Sequence, residues 1–197
     1  RLTQVGTYLG YRFHMGNRSG TMDNVASVTV KGGMLGSRLT TLYEAKDIRQ
    51  RTGYRFGTHT DVNDSIVRLN VFTDKPLIGY HEWTVNDGNY VQYNYKEQHL
   101  DANLRLDGGN SGSVNLFTEH VEHEGEGEEH RQEDVNLSIK GLKIDEWVSM
   151  FPFAPDVSGE LSSDMKISYR GHQFWGTGKA ELKSFCYDGQ TVGDFNL

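Results

Sequence analysis

Proline is scarce in this chain, with three in 197 residues. Little therefore interrupts extended backbone, since proline is the residue that removes a ladder N–H from a strand. One cysteine excludes an internal disulfide and leaves the redox compartment undecided. Set in KSFCYDG, Cys186 reads as a buried, inert thiol. No apolar run is long enough for a membrane-spanning helix, and no secretory leader pattern opens the sequence.

Excess positive charge is also missing. Twenty basic residues against 27 acidic ones give −7, and residues 119–134 alone carry eight carboxylates and one arginine, which accounts for all of it. The remainder holds 19 charges of each sign. A balanced body has no electrostatic pull towards phosphate, and nucleic acid is not expected as a partner.

Catalytic signatures are absent as well: no Gly-x-Ser-x-Gly, no His-Glu-x-x-His and no phosphate-cradling glycine loop occurs. Asp61 with Asp64, and Asp145 with Glu146, are carboxylate pairs, but nothing sets either at a glycosidase separation, and the second pair suits a helix N-terminus. His120, His123 and His130 stand among the eight carboxylates, donors of the kind that hold divalent ions. Gly125 and Gly127 break any scaffold there, so the run is expected to be a solvated, flexible loop, with no metal, no cofactor and no catalytic residue assigned.

What is present is strand chemistry. Hydrophobic content is 36%, which rises towards a globular value only when the 23 glycines are added, and threonine, valine and tyrosine are plentiful. An all-β, antiparallel fold is expected, with one β-rich segment covering 1–197. Residues 2–15 read as one or two strands, 16–24 as a loop, 25–33 as a strand, and 34–45 as another with some helical tendency at 39–46. Residues 46–63 are polar and poorly periodic, and read as a long surface connection. Alternation returns at 65–73; then 77–85 reads as a strand that Asn86-Asp87-Gly88 turns back antiparallel into 89–97. Tyr80, Trp83, Tyr90, Tyr93 and Tyr95 gather there, either as cross-strand pairs or as a sugar-stacking platform.

Downstream the alternation is cleanest. Leu100, Ala102, Leu104 and Leu106 share one face, followed by Val114 and Leu116, then Val135, Leu137 and Ile139. The period then changes: Ile144, Val148 and Phe151 recur at helical spacing, and Pro152 and Pro155 stop a helix of about two turns at 144–151. Alternation resumes with Leu161, Met165 and Ile167, then Ala180 and Leu182, while Gly171, Gly176, Gly178 and Gly189 read as turns or kinks. Side by side, these strands make one continuous apolar surface, and a helix of two turns is too small to cover it. Either the sheet closes as a sandwich or it curls into a trough with an apolar interior. On the residues alone the sandwich is the simpler cover.

Three stretches carry a resemblance: 142–159, a short helix ending in PFAPDVSG; 176–182, GTGKAEL; and 187–197, YDGQTVGDFNL. Upstream, SIVRLNVFTDKPLIGYHEWTVNDGNYVQYNY at 65–95 extends it. In this order the chain resembles the TamB and AsmA-like proteins of the Gram-negative envelope. The resemblance implies a segment of a longer chain whose antiparallel sheet curls into a taco-like half-pipe, with the short helix at an end or edge. It further implies a periplasmic location with an inner-membrane anchor outside these residues, and a lipid-binding groove serving intermembrane phospholipid transport and outer-membrane protein assembly. The fourteen aliphatic and methionine residues from Leu100 to Leu182 would line that groove. Its partners would be phospholipid acyl chains, flanking segments of the same chain and an outer-membrane barrel assembly protein. The alternative is a carbohydrate-binding or adhesin-type β-sandwich built on the aromatics between Tyr80 and Tyr95.

Overall fold

Among the described residues fifteen strands, every pair antiparallel, join in one open sheet. The computed structural model describes residues 5–11, 27–47, 49–72, 75–119, 134–150, 155–170 and 173–197. The first half comprises β1 (Val5–Tyr11), β2 (Ser27–Leu35), β3 (Arg38–Lys46), β4 (Thr52–Val62), β5 (Ile66–Val71), β6 (Leu77–Ile78), β7 (His81–Glu82), β8 (Thr84–Val85) and β9 (Tyr90–Asn94). The second comprises β10 (His99–Asp107), β11 (Ser113–Thr118), β12 (Val135–Lys143), the helix α1 (Ile144–Val148), β13 (Val157–Arg170), β14 (Gln173–Tyr187) and β15 (Gln190–Asn196).

The sheet runs β1-β2-β3-β4-β5-β9-β10-β11-β12-β13-β14-β15, so each strand on this path lies beside its neighbour in sequence except across β6–β8. That excursion fills one end of the sheet. β4 pairs with β5 through Thr58–Val62 and with β6 at Arg55, while β10 pairs with β9 through His99–Asn103 and with β8 through Leu106 and Asp107. The short pieces thus occupy the space beyond the ends of β5 and β9. Among the described residues all strands belong to this one open sheet, with no separate second sheet.

The core sits at that same end. Ala45, Tyr54, Ile78, Trp83 and Leu142 are buried together, with Tyr43, Leu106, Val114, Ile139, Trp147, Met150 and Leu161 packed around them. α1 closes over this cluster. Its Trp147 meets Trp83 edge-on at 5.4 Å between ring centres, and two tyrosine hydroxyls donate to backbone carbonyls, Tyr54 to Glu146 of the helix at 3.0 Å and Tyr43 to Met150 of the turn that follows it at 2.9 Å. Asp145 and Glu146 occupy its first turn, where the unpaired amides favour negative charge.

Several local readings change. Residues 46–63 are no surface connection: they contain β4, eleven residues long and internal to the sheet. Tyr54, Phe56, Thr58 and Thr60 alternate correctly there, but Arg55, His59 and Asp61 on the other face, with Gly53 and Gly57, made the stretch look like loop. The 77–85 stretch is not one strand; Gly79 and Tyr80 turn it sharply with φ of 60° and 68°. Asp87 and Gly88 do form a turn, yet β8 pairs with β10 rather than with β9, so the expected hairpin does not form. Residues 39–46 are strand, and the β2–β3 turn lies at Gly36 and Ser37. Gly176 and Gly178 sit inside β14, where a Cβ at position 178 would lie 2.6 Å from Met165 Cα, so glycine is there for close backbone approach rather than to turn. The helix spans five residues; Phe151 and Pro152 lie outside the described residues.

Candidate functional site

The fourteen residues expected to line a groove all fall on one face. Across β10, β11, β12, β13 and β14 the register aligns Leu106, Val114, Ile139, Ser163 and Ala180 in one row and Leu104, Leu116, Leu137, Met165 and Gly178 in the next. Val135 stands opposite Ile167, and Ala102 opposite Val91. Leu161 and Leu182 are opposite each other, beyond a bulge that shifts register between Ile139 and Leu142. At the bulge Gly141 takes φ 56°, a conformation open to glycine, and the chain then delivers Leu142 into the core. Leu100 pairs with Tyr93, which continues the face into β9.

Burial on this face is graded. Ala102 and Val135 are buried at 2% exposure, while the other twelve remain half-buried, so these side chains are neither sealed from solvent nor fully open to it. The face also runs further than the alternation of 100–182 indicates: Leu69 pairs Val91, Val67 pairs Tyr93, and Leu69 lies opposite Thr60, which lies opposite Leu39 and then Met34. Val67, Leu69 and Val71 alternate in the sequence, but their continuity with β10 depends on skipping the β6–β8 excursion. No local pattern records that skip.

The opposite face is polar and tied together. Arg38 and Asp61 form a two-pronged ion pair at 2.7 and 3.0 Å, Arg68 donates to Gln92 and lies 4.0 Å over the Tyr90 ring, and Ser138 donates to Asp164 at 2.6 Å. Both partners of the Arg38–Asp61 pair respond: the Asp61 carboxyl drops below its ordinary range through that hydrogen bond, and the Arg38 guanidinium rises. One apolar and one hydrated face is the division that strand alternation builds. No protein-family model, curated protein or solved structure matches the chain.

At the core end the apolar face is stopped by side chains. Trp83 is 0% exposed and its six-membered ring sits where Gly108 leaves room, since a Cβ there would lie 2.5 Å from the indole. Burial pushes the Tyr54 hydroxyl well above its ordinary value, the nearby Tyr80 adding to it, so Tyr54 stays a neutral donor to Glu146. The Glu146 carboxylate takes the Ser111 hydroxyl at 3.3 Å and lies 3.5 Å from His81 Nε2.

The other candidates are dispersed. Trp83 is enclosed and presents no stacking surface; Tyr80 lies against Tyr54; Tyr90 and Tyr93 take alternate positions along β9; Tyr95 stands exposed in the following turn. Cys186 is half-exposed in the β14–β15 hairpin, 3.7 Å from Thr191 Oγ1, rather than buried. Among the described residues no three His, Cys, Asp or Glu side chains gather to hold a metal ion. His120, His123 and His130, with the acidic run at 120–133, lie outside the described residues.

Proposed function

We propose that this chain is a segment of a TamB or AsmA-like envelope protein whose apolar sheet face holds phospholipid acyl chains. On this reading the sheet is a half-pipe in the periplasm, tethered to the inner membrane by a part of the protein outside these residues. It passes lipid towards an outer-membrane barrel assembly protein and catalyses no reaction. The observation that carries it is the face itself: fourteen apolar positions in register across five strands, twelve of them left half-exposed.

The Tyr54–Glu146 contact supports the curl. β4 and β12 are five steps apart in the strand order, roughly 24 Å along a flat sheet at about 4.8 Å per step. Glu146 is three residues past the end of β12, a helical rise of roughly 5 Å, and one tyrosine side chain spans the rest. A sheet bent over its apolar side brings these two together; a flat one leaves them apart. In such a trough each buried methylene of a lipid contributes about 0.8 kcal/mol, and no convergent polar groups read a headgroup, so the affinity would be broad.

The test is mass spectrometry of lipid extracted from the purified chain, together with titration by a fluorescent phospholipid. Co-purified phospholipid is expected, with binding at least tenfold weaker in Leu137→Lys and Met165→Lys, which put a charge in the middle row. A folded, monodisperse sample that carries no lipid and takes up none would overturn the reading.

A further inference from the structure

The apolar face does not run out into solvent at the core end; it passes beneath α1. Leu106, Val114, Ile139 and Leu161 belong to that face, and all four pack against the buried cluster. Trp147 of the helix and Met150 of the turn that follows it pack against the same cluster.

α1 is weakly rooted there. It spans five residues, none of them buried, and a helix of that length depends on tertiary contacts for its existence. Its tethers are few: the Tyr54 and Tyr43 hydroxyls on the Glu146 and Met150 carbonyls, the Trp147–Trp83 contact, and the Ser111 hydroxyl on Glu146 Oε1. The seat also leaves polar atoms unmatched. Among the described residues, Trp83 Nε1, Trp147 Nε1 and Glu146 Oε2 are buried without a hydrogen-bond partner. Such atoms oppose burial, and the two that α1 carries would be hydrated if the helix lifted. The turn against which Glu146 packs is strained as well. A Cβ on Gly79 would lie 2.7 Å from Glu146 Cβ, and the next residue, Tyr80, is held at φ 68°, a conformation costly for a bulky side chain and common in parts that move.

We infer that α1 is a latch on the trough, which lifts as a unit and uncovers the core end of the apolar face to an acyl chain. This rests on the reading of that face as a lipid groove. With the latch closed, Trp147 and Met150 cover apolar surface that a guest would otherwise take, and the tyrosine hydroxyls tie β3 and β4 to the segment leaving β12. With it open, the two carbonyls and both polar atoms of α1 meet water, and the surface formed by Leu106, Val114, Ile139 and Leu161 becomes free. Guest and helix compete for one surface, so lipid binding shifts the helix outward.

Two substitutions move the latch in opposite directions. Tyr43→Phe removes the hydroxyl that holds the Met150 carbonyl and keeps the ring. Trp147→Phe removes the unpartnered N–H from α1 and keeps a ring against Trp83. Hydrogen exchange at the Ser149 and Met150 amides, which are bonded to the Asp145 and Trp147 carbonyls, reads the opening on the whole chain without lipid. Exchange is expected to be faster in Tyr43→Phe and slower in Trp147→Phe, each by roughly threefold, the fold-change of one modest net hydrogen bond. A contact that is only structural loosens in both variants, and faster exchange in both overturns the latch. Uptake of a fluorescent phospholipid is expected to follow the same order, fastest in Tyr43→Phe and slowest in Trp147→Phe. Equal uptake by all three proteins, with exchange differing, overturns the coupling of latch to groove. If no protein takes up phospholipid, the groove reading falls, and the apolar dye anilinonaphthalene sulfonate decides the latch separately: emission in the order of exchange supports an uncovered apolar surface, and equal emission overturns it. Circular dichroism checks that the sheet is kept, and Trp147→Met, which also carries no N–H, replaces Trp147→Phe if that variant unfolds.

Discussion

The hydroxyl of Tyr54 donates a 3.0 Å hydrogen bond to the main-chain carbonyl of Glu146, so a residue of β4 holds the helix that leaves β12. Tyr54 is 1% exposed, and no solvent can replace that partner. Tyr54→Phe keeps the ring and leaves the Glu146 carbonyl unpaired, an expected loss of about 1–2 kcal/mol in urea denaturation. Tyr54→Ala removes the ring too and should cost about 3–5 kcal/mol, a large fraction of the roughly 5–15 kcal/mol that holds an ordinary domain folded. Equal stability of Tyr54→Phe and wild type would show that the tie between β4 and α1 carries no energy.

Three tryptophans occupy three environments: Trp83 enclosed, Trp147 half-buried against it, and Trp175 at 58% exposure on β14. Iodide is therefore expected to quench chiefly Trp175. Trp175→Phe should remove most of the quenchable emission, shift the remaining spectrum to the blue, and leave stability within about 0.5 kcal/mol of wild type, as a surface change does. Should the quenchable fraction persist in Trp175→Phe, the Trp83–Trp147 pair is reached by solvent and the core end is not closed.

How much of this was legible depended on whether a strand's partners lay next to it in sequence. β10, β11 and β12 follow one another, and Leu104, Leu116 and Leu137 could be placed on one face from alternation alone. β4 was hidden because alternation of Tyr54, Phe56, Thr58 and Thr60 is masked by charged residues facing away from the core and by two glycines under aromatic rings, Gly53 beneath Tyr80 and Gly57 beneath Phe72. Trp83 was misplaced for a different reason. An aromatic run beside Asn-Asp-Gly is what a hairpin looks like, and the pairing of β8 with β10 instead accompanies an enclosed Trp83, while the other aromatics of the run stay half-buried or exposed. Tertiary context decided these positions, and local propensity did not contain it.

Gly178 separates steric need from conformational freedom. Its backbone is not in the left-handed region, yet a Cβ would lie 2.6 Å from Met165 Cα and collide with the Asp164 carbonyl. Both obstacles are backbone, so neither can swing aside. Gly178→Ala is expected to cost about 1–3 kcal/mol and to raise amide exchange along the β13–β14 ladder. Gly33 is the control: nothing lies within 4 Å of its Cβ position, and Gly33→Ala should be neutral or stabilise by up to about 1 kcal/mol. If the two variants unfold at the same denaturant concentration, the crowding at position 178 is relieved at no cost.

Asp47, between β3 and β4, links stability to pH. Its side chain is 3% exposed, and burial pushes its carboxyl up, but the Arg51 amide, the Arg51 guanidinium at 2.8 Å and the Arg49 amide together hold it below the ordinary value of 3.8. A depressed folded value means the charged form stabilises the fold. That contribution is complete above pH 3.8 and is lost as the pH falls through the lower folded value. Asp47→Asn cannot ionise, so its stability should fall less steeply in this acid window, by at most about 1.4 kcal/mol per pH unit, the slope of one proton. At neutral pH the variant should be the less stable of the two, since it leaves the Arg51 guanidinium without its counter-charge. Parallel pH profiles for the two proteins would place the acid-sensitive carboxylate elsewhere in the sheet.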